Sequence, residues 1–68
     1  MKTIYEIITI ALTDPHNYED DGAVNWSFID SDLWLDADAD NYTDQEKYDG
    51  LDNYIDDYSN NEHLMMNH

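Results

Sequence analysis

The sequence predicts a small α+β domain in which two helices cover one face of a two-stranded β-hairpin. Three observations predict this fold: an apolar stripe with helical spacing near residue 4, an alternating segment in the middle, and a second helical stripe after residue 43. An all-α three-helix bundle is the alternative, because the middle segment also has apolar residues at helical spacing. The length of 68 residues suits one domain, which we take as residues 1–68.

The first predicted helix covers residues 4–12. The apolar residues of its stripe are Ile4, Ile7, Ile8, Ala11 and Leu12. Thr3 and Glu6, three positions apart, match a capping box at its start. Asp14 precedes Pro15, and the residue before a proline avoids the helical conformation, so we expect the helix to end there.

The predicted hairpin comes from alternation at residues 24–28 and 33–40, with residues 29–32 as the connection. The apolar side of the two strands consists of Val24, Trp26, Phe28, Leu33, Leu35, Ala37 and Ala39. The second strand places Asp36, Asp38 and Asp40 on one face, about 6.6 Å apart. A competing helix would have Trp26, Ile29, Leu33 and Ala37 near one face. The β-branched and aromatic residue types favour the hairpin.

The last predicted helix starts at a second capping box, formed by Thr43 and Glu46. Its apolar stripe consists of Tyr48, Leu51, Ile55 and Tyr58. The run Ser59-Asn60-Asn61 predicts the helix end, and we expect residues 59–68 to form a loosely held tail. We expect Trp26, Tyr48 and Tyr58 to lie in the core.

The charge balance excludes several classes of function. Seventeen Asp and Glu residues oppose two Lys and no Arg, for a net charge of −15. Direct binding to nucleic acid or to an anionic membrane requires the opposite charge. The three histidines are scattered, and the sequence contains no cysteine, phosphate-binding loop or nucleophile elbow. We therefore expect a protein that is not an enzyme, has no cofactor and, without a convincing export signal, acts in the cytoplasm.

Calcium binding is the main alternative chemistry. Asp36, Asp38 and Asp40 match positions one, three and five of an EF-hand loop. Position six is Asn41 where the motif has glycine, and position twelve is Lys47 where it has a bidentate glutamate. We therefore expect no dedicated metal site.

The acids are concentrated between residues 30 and 57, where eleven of them face one base, Lys47. Asp49, Asp52 and Asp56 are like-charge neighbours on one helix. Asp56 and Asp57 lie towards the predicted helix C-terminus, which disfavours anions. When acidic residues repeatedly occupy positions that destabilise the fold, a function for them is indicated. Adaptation to high salt would give the same excess of acidic residues. A compact chain of this length extends roughly 28 Å, and that length of duplex DNA carries about sixteen charges.

Small size, extreme acidity and carboxylates interleaved with aromatic residues, as in the run from Asp30 to Asp40 (DSDLWLDADAD), give the chain a resemblance to a functional class. It resembles the DNA-mimic proteins of phages and mobile elements, which include anti-restriction proteins, anti-CRISPR proteins, nuclease inhibitors and uracil-DNA glycosylase inhibitors. The resemblance is compositional, and since that class shares no single fold it implies none. It implies that acidic side chains replace phosphates and occupy the basic nucleic-acid cleft of a host enzyme.

The predicted partner-binding residues are Asp32, Trp34, Asp36, Asp38, Asp40, Asp44, Glu46, Asp49, Asp52, Asp56 and Asp57. Trp34 falls on the acidic strand face of the hairpin, which makes it a candidate apolar anchor. We expect a monomer or homodimer whose partner is a basic nucleic-acid-binding protein. An acidic adaptor or antitoxin-like protein, which binds a basic partner without copying DNA, is the alternative. In either case, asparagine at positions 36, 38, 40 and 52 is expected to stabilise the free protein and weaken binding.

Overall fold

Three α-helices and two 3₁₀ helices make up this computed structural model, which describes the backbone of residues 1–66 and the side chains of residues 1–60. The elements in chain order are α1 (Ile4–Ala11), a first 3₁₀ helix (Pro15–Asn17), α2 (Trp26–Leu35), a second 3₁₀ helix (Ala37–Asn41) and α3 (Asp44–Met66). The predicted α+β fold is wrong, and the all-α alternative fits. Over residues 1–66 there is no sheet, and strand-like pairing is limited to one antiparallel bridge between Tyr18 and Val24.

Helix α1 forms where the sequence predicts it. Thr3 Oγ1 accepts a hydrogen bond from the Glu6 amide, and Glu6 Oε1 accepts one from the Thr3 amide, both at 3.1 Å. This confirms the capping box. The buried residues Ile7, Ile8 and Ala11 confirm the apolar stripe. Burying an isoleucine is worth about 1.5–3 kcal/mol, which exceeds the helix-propensity penalty of its β-branch.

The predicted β-hairpin is wrong because residues 26–35 form helix α2. Asn25 Oδ1 caps its start by accepting hydrogen bonds from the amides of Ser27 and Phe28, at 3.1 and 3.3 Å. Ile29 and Leu33, four residues apart, lie on the same helical face and are both fully buried. The energy of burying this pair exceeds the roughly 1 kcal/mol range of strand propensities, so the competing helical pattern prevails.

The second predicted strand is also wrong, because residues 37–41 form a 3₁₀ helix. The Asp36 carboxylate accepts a hydrogen bond from the Asp38 amide at 2.9 Å and caps this helix. Ala39 is fully buried under the turn, whereas Leu35 is 83% exposed. Asp36, Asp38 and Asp40 therefore do not line one face of a strand.

Helix α3 begins as predicted but is longer than predicted. The Thr43–Glu46 capping box is confirmed by reciprocal hydrogen bonds of 2.9 and 3.1 Å. The helix passes through Ser59-Asn60-Asn61 and continues to Met66, so the predicted end is wrong. Serine and asparagine cost only a few tenths of a kcal/mol in a helix interior, and no proline or glycine follows to stop it. The predicted loose tail is thus helical over residues 59–66, and residues 67–68 lie outside the described residues.

The core is built from all three helices. Its buried apolar residues are Ile7, Ile8, Ala11, Ile29, Leu33, Ala39 and Leu51. Helices α1 and α3 approach closely at Gly50, where an added Cβ would lie 2.7 Å from Ile4 Cγ2. Tyr48, predicted to lie in the core, is 55% exposed, whereas its neighbour Lys47 is buried. Trp26 and Tyr58, also predicted there, are partly buried.

Candidate functional site

The carboxylates of the predicted site fall into two structural groups. One group forms hydrogen bonds or ion pairs that hold the fold together. The other projects from the exposed side of α3 and from nearby turns, and two of its members, Asp44 and Asp57, also have a partner within the protein. This division decides which of the predicted residues present charge to a partner.

Lys2 is the centre of the first group. Its Nζ atom lies 2.6 Å from Asp36 Oδ2, and its amide donates to Asp38 Oδ2 at 2.8 Å. Tyr42 Oη donates to the Lys2 carbonyl at 3.1 Å. The hydrogen bond from Lys2, followed by that from the Asp38 amide, lowers the pKa of Asp36. The same Lys2–Asp36 bond raises the pKa of Lys2. This cluster fixes Lys2, which lies just before α1, to the second 3₁₀ helix and its flanking residues.

Asp32 and Glu46 also have structural partners. The side-chain Nδ2 of the buried Asn17 donates to Asp32 Oδ2 at 2.9 Å and to the Ala11 carbonyl at 2.7 Å. Glu46 closes the capping box of α3, and the hydrogen bond from the Thr43 amide lowers its pKa. Because one oxygen of each carboxylate already accepts a hydrogen bond within the protein, Asp32 and Glu46 keep less acceptor capacity for a partner than the sequence spacing indicates.

Three of the predicted residues, Asp49, Asp52 and Asp56, form a ridge along α3. Asp56 follows the buried Lys47 by about two and a half helical turns, which places it on the opposite side of the helix. All three are exposed. They are spaced by about 4.5 and 6.0 Å along the helix axis. Asp49 accepts a hydrogen bond from Gln45 at 2.9 Å, and within residues 1–60 Asp52 and Asp56 accept none. We call these three residues the α3 ridge.

The remaining predicted acids flank the α3 ridge. Asp44 is exposed and lies 3.7 Å from Lys47 Nζ, and Asp57 accepts a hydrogen bond from the Tyr5 hydroxyl. Asp40 is exposed on the second 3₁₀ helix. Because α3 continues to Met66, Asp56 and Asp57 lie well inside the helix, so the unfavourable helix-end position expected for them is absent.

Trp34 does not occupy the exposed position that the hairpin register gave it. It is partly buried on α2, and its Nε1 donates to Asp30 at 3.0 Å. The Lys47 ammonium lies 4.2 Å from its ring centroid, and the Tyr48 ring packs against it at 5.3 Å. Its interactions stabilise the α2–α3 contact.

The overall dimensions change the comparison with duplex DNA. The chain extends 39 × 22 × 18 Å, longer than the roughly 28 Å expected from its length. Its net charge of −15 over 39 Å corresponds to about one charge per 2.6 Å, against one per 1.7 Å in the duplex. The protein therefore carries about two-thirds of the charge of duplex DNA of equal length.

An exposed apolar surface, which the sequence pattern did not identify, lies between α1 and α2. Ile10 is 54% exposed and Leu35 is 83% exposed. Together with Asp32 and Asp36 they line a shallow groove of about 250 Å³. An exposed apolar patch with a polar rim is one mark of a protein-binding surface. The helical spacing of α1 already indicates that Ile10 lies outside the buried stripe. That Leu35 lies beside Ile10 depends on how α1 and α2 pack, which the spacing does not show.

Within residues 1–60, no three His, Asp or Glu side chains are grouped so as to hold a metal ion. The Asp14 carboxylate accepts hydrogen bonds from the His16 amide and ring, which lower the pKa of Asp14, but both side chains are exposed on a turn. None of the helices in the described part of the chain combines the length and apolar character needed to cross a bilayer. No protein-family model, curated protein or solved structure matches the chain.

Proposed function

We propose that this protein is an acidic DNA mimic that inhibits a host DNA- or RNA-binding enzyme by occupying its basic nucleic-acid cleft. Restriction, CRISPR, recombination and repair enzymes are the candidate targets. In this proposal the protein acts by binding, in the cytoplasm of the cell that contains its target. It contributes negative charge and shape, and no chemical step.

The α3 ridge is the observation that carries the proposal. It places three carboxylates in a row on the exposed side of a 23-residue helix. Like-charge neighbours at these spacings each cost a few tenths of a kcal/mol, so the row is kept against a folding cost. Asp40, Asp44 and Asp57 extend the negative surface on either side. A cleft lined with Lys and Arg would be attracted to this surface, with strong dependence on salt.

The division of the carboxylates refines the residues assigned to binding. Asp40, Asp44, Asp49, Asp52, Asp56 and Asp57 are the phosphate surrogates of this proposal. Asp32, Asp36, Asp38 and Glu46 support the fold that presents them, and Trp34 supports the contact between α2 and α3. The lower charge density, relative to the duplex, predicts a complex that relies on additional protein contacts.

The apolar groove beside Ile10 and Leu35 favours a second candidate, an acidic adaptor that binds a basic protein without copying DNA. In an adaptor, one or two buried apolar anchors dominate the binding energy. The groove lies between α1 and α2, whereas the ridge lies on the exposed side of α3. Variants of the two surfaces can therefore be tested separately.

The two functions are tested by affinity capture from bacterial lysate at low salt, with partners identified by mass spectrometry. The baits are the wild-type chain, the triple variant Asp49→Asn/Asp52→Asn/Asp56→Asn, and the groove variant Leu35→Ser. Each captured partner is challenged with a short DNA duplex and then with salt. The activity of the purified partner is then measured with and without the wild-type chain.

Mimicry predicts a nucleic-acid enzyme that the duplex and salt release, that the triple variant fails to capture, and whose activity the chain inhibits. A partner that ignores the duplex and is lost with Leu35→Ser would contradict mimicry and support the adaptor. Capture by all three baits alike would contradict both surfaces.

A further inference from the structure

A cleft lined mainly by tyrosine lies between α1 and the second half of α3. Its volume is about 290 Å³, and its lining residues are Tyr5, Tyr54, Asp57, Tyr58 and Asn60. It contains three phenol rings, one carboxylate and one amide, and no cationic side chain among the described residues lines it. We call it the tyrosine cleft.

The rings of the tyrosine cleft are held in place by their neighbours. The Tyr5 and Tyr54 ring centroids are 4.7 Å apart, with an angle of 43° between the planes. Trp26 packs behind them, edge-on to Tyr58 at 5.4 Å and 6.5 Å from Tyr54. Thr9 Oγ1 and Tyr54 Oη are hydrogen-bonded at 3.0 Å. Aromatic surfaces fixed in this way bind a ligand without first having to be ordered.

Asp57 gives the cleft its charge. Its Oδ2 atom accepts the hydrogen bond from the Tyr5 hydroxyl, and this bond raises the pKa of Tyr5. Within residues 1–60, Asp57 Oδ1 accepts no hydrogen bond. The carboxylate therefore keeps acceptor capacity for a ligand.

Aromatic rings beside a carboxylate match an organic cation, because ring faces and the carboxylate both attract positive charge. The chain already contains this combination at another place. The Lys47 ammonium lies 4.2 Å from the Trp34 ring centroid and 3.7 Å from Asp44 Oδ1. There the cation is the protein's own, whereas among residues 1–60 the tyrosine cleft is lined by the rings and the carboxylate and by no cationic side chain.

We propose that the tyrosine cleft binds the guanidinium group of an arginine side chain supplied by the basic partner. This proposal rests on the proposed function, which provides a partner whose cleft is rich in such side chains. A guanidinium is planar, stacks on aromatic rings, pairs with carboxylates and is more weakly hydrated than an ammonium, so it suits the site better than lysine does. An arginine that otherwise contacts a phosphate would then pair with Asp57 and stack on tyrosine.

The test uses the purified chain and ethylguanidinium, which reproduces the end of an arginine side chain. The indole N–H signals of the two tryptophans are followed by NMR during titration. Trp26 packs against the rings of the cleft, whereas Trp34 packs against Tyr48 and Lys47, which do not line it. We expect a saturable shift of the Trp26 signal and little change at Trp34.

Matched variants separate a specific site from general attraction to an acidic protein. Asp57→Asn, which removes the ion pair, and Tyr58→Leu, which removes one ring face, should each weaken ethylguanidinium binding by about fivefold or more. Asp52→Asn and Tyr48→Leu, which remove a like group outside the cleft, should change it by less than about twofold. Far-UV circular dichroism establishes that each variant is folded, and the nearly isosteric Asp57→Asn decides the question if Tyr58→Leu unfolds.

A shift that does not saturate, or that all four variants weaken equally, would overturn the site. Equal affinity for n-butylammonium would overturn its assignment to arginine. These outcomes are independent of mimicry, since no partner is present. If the cleft does not bind ethylguanidinium but duplex DNA still releases the captured partner, the cleft proposal fails and mimicry stands. If the cleft binds ethylguanidinium but duplex DNA does not release the partner, mimicry fails and the cleft remains.

Discussion

Replacing Asp52 by asparagine should stabilise the free protein, because one substitution removes two repulsive contacts. Asp52 lies three residues after Asp49 and four before Asp56, so it faces a like charge on both sides. It accepts no hydrogen bond within residues 1–60, so the change breaks none there. Aspartate and asparagine have similar helix propensities, which leaves charge as the difference.

The expected gain follows from the two pairs. Each like-charge pair at these spacings costs about 0.2–0.5 kcal/mol, so the free energy of unfolding should rise by about 0.4–1 kcal/mol. For a domain of this length, that corresponds to an increase in Tm of roughly 2–8 °C. The gain should shrink in 1 M salt, where the Debye length is about 3 Å, relative to 0.01 M, where it is about 30 Å.

Thermal and urea unfolding followed by circular dichroism measures this effect at both salt concentrations. Asp40→Asn is the matched control, because it removes one exposed charge outside α3 and so reports general self-repulsion alone. Asp36→Asn should have the opposite sign, since it weakens the bond to Lys2. The fourfold change to asparagine at positions 36, 38, 40 and 52 combines relief of charge repulsion with loss of the bonds to Lys2. The stabilisation that the sequence led us to expect from it is therefore withdrawn.

Two results would refute the reasoning about the α3 ridge. One is a loss of stability in Asp52→Asn, and the other is a gain no larger than that of Asp40→Asn. In either case the ridge would not be kept against a folding cost, and the main support for the proposed function would be lost.

Three further predictions concern the core, the α1–α3 contact and pH. Leu33→Ala should cost about 2–5 kcal/mol, comparable with the whole stability of a domain this small, and circular dichroism should show a largely unfolded chain. Gly50→Ala should lower the Tm because the added Cβ would clash with Ile4 Cγ2, and this clash outweighs a helix-propensity gain of about 1 kcal/mol. In an Ile4→Ala background, Gly50→Ala should lower the Tm by less, because the clashing group is gone. The hydrogen bonds from Lys2 and from the Asp38 amide lower the pKa of Asp36 in the folded state, so its contribution to stability is present above its ordinary pKa and is lost as the pH falls through the folded value. An acid titration should show a larger loss of stability in the wild type than in Lys2→Met, which keeps only the bond from the Asp38 amide.

Local signals predicted α1 and the start of α3 because the decisive interactions lie within four residues. The Thr3–Glu6 and Thr43–Glu46 pairs are examples. Helix α2 could not be predicted in this way, because its segment satisfies both a strand and a helical pattern. Burial of Ile29 and Leu33 against other helices decides between them, and that contact is not visible in a local pattern.

The sequence predicted that the candidate site is acidic, but it identified only some of the residues that form it. Asp36 and Asp52 look alike in the sequence, each lying in an acidic run. Asp36 pairs with Lys2, which is 34 residues away in the chain, whereas Asp52 is exposed and has no such partner among residues 1–60. The tyrosine cleft was missed for the same reason, since Tyr5 and Asp57 are 52 residues apart and meet only when α1 packs on α3.

The burial of Lys47 gives this protein a built-in reporter of unfolding. Trypsin cuts after lysine or arginine, and the sequence offers it only Lys2 and Lys47. The Lys47 side chain is inserted between α2 and α3 in the first turns of a helix, so the protease reaches the following bond when that packing opens. A cut there leaves the first turn of α3 with α1 and α2 and releases the rest of α3. Where reclosing is faster than cleavage, the rate at which the two fragments accumulate measures the fraction of molecules that are open.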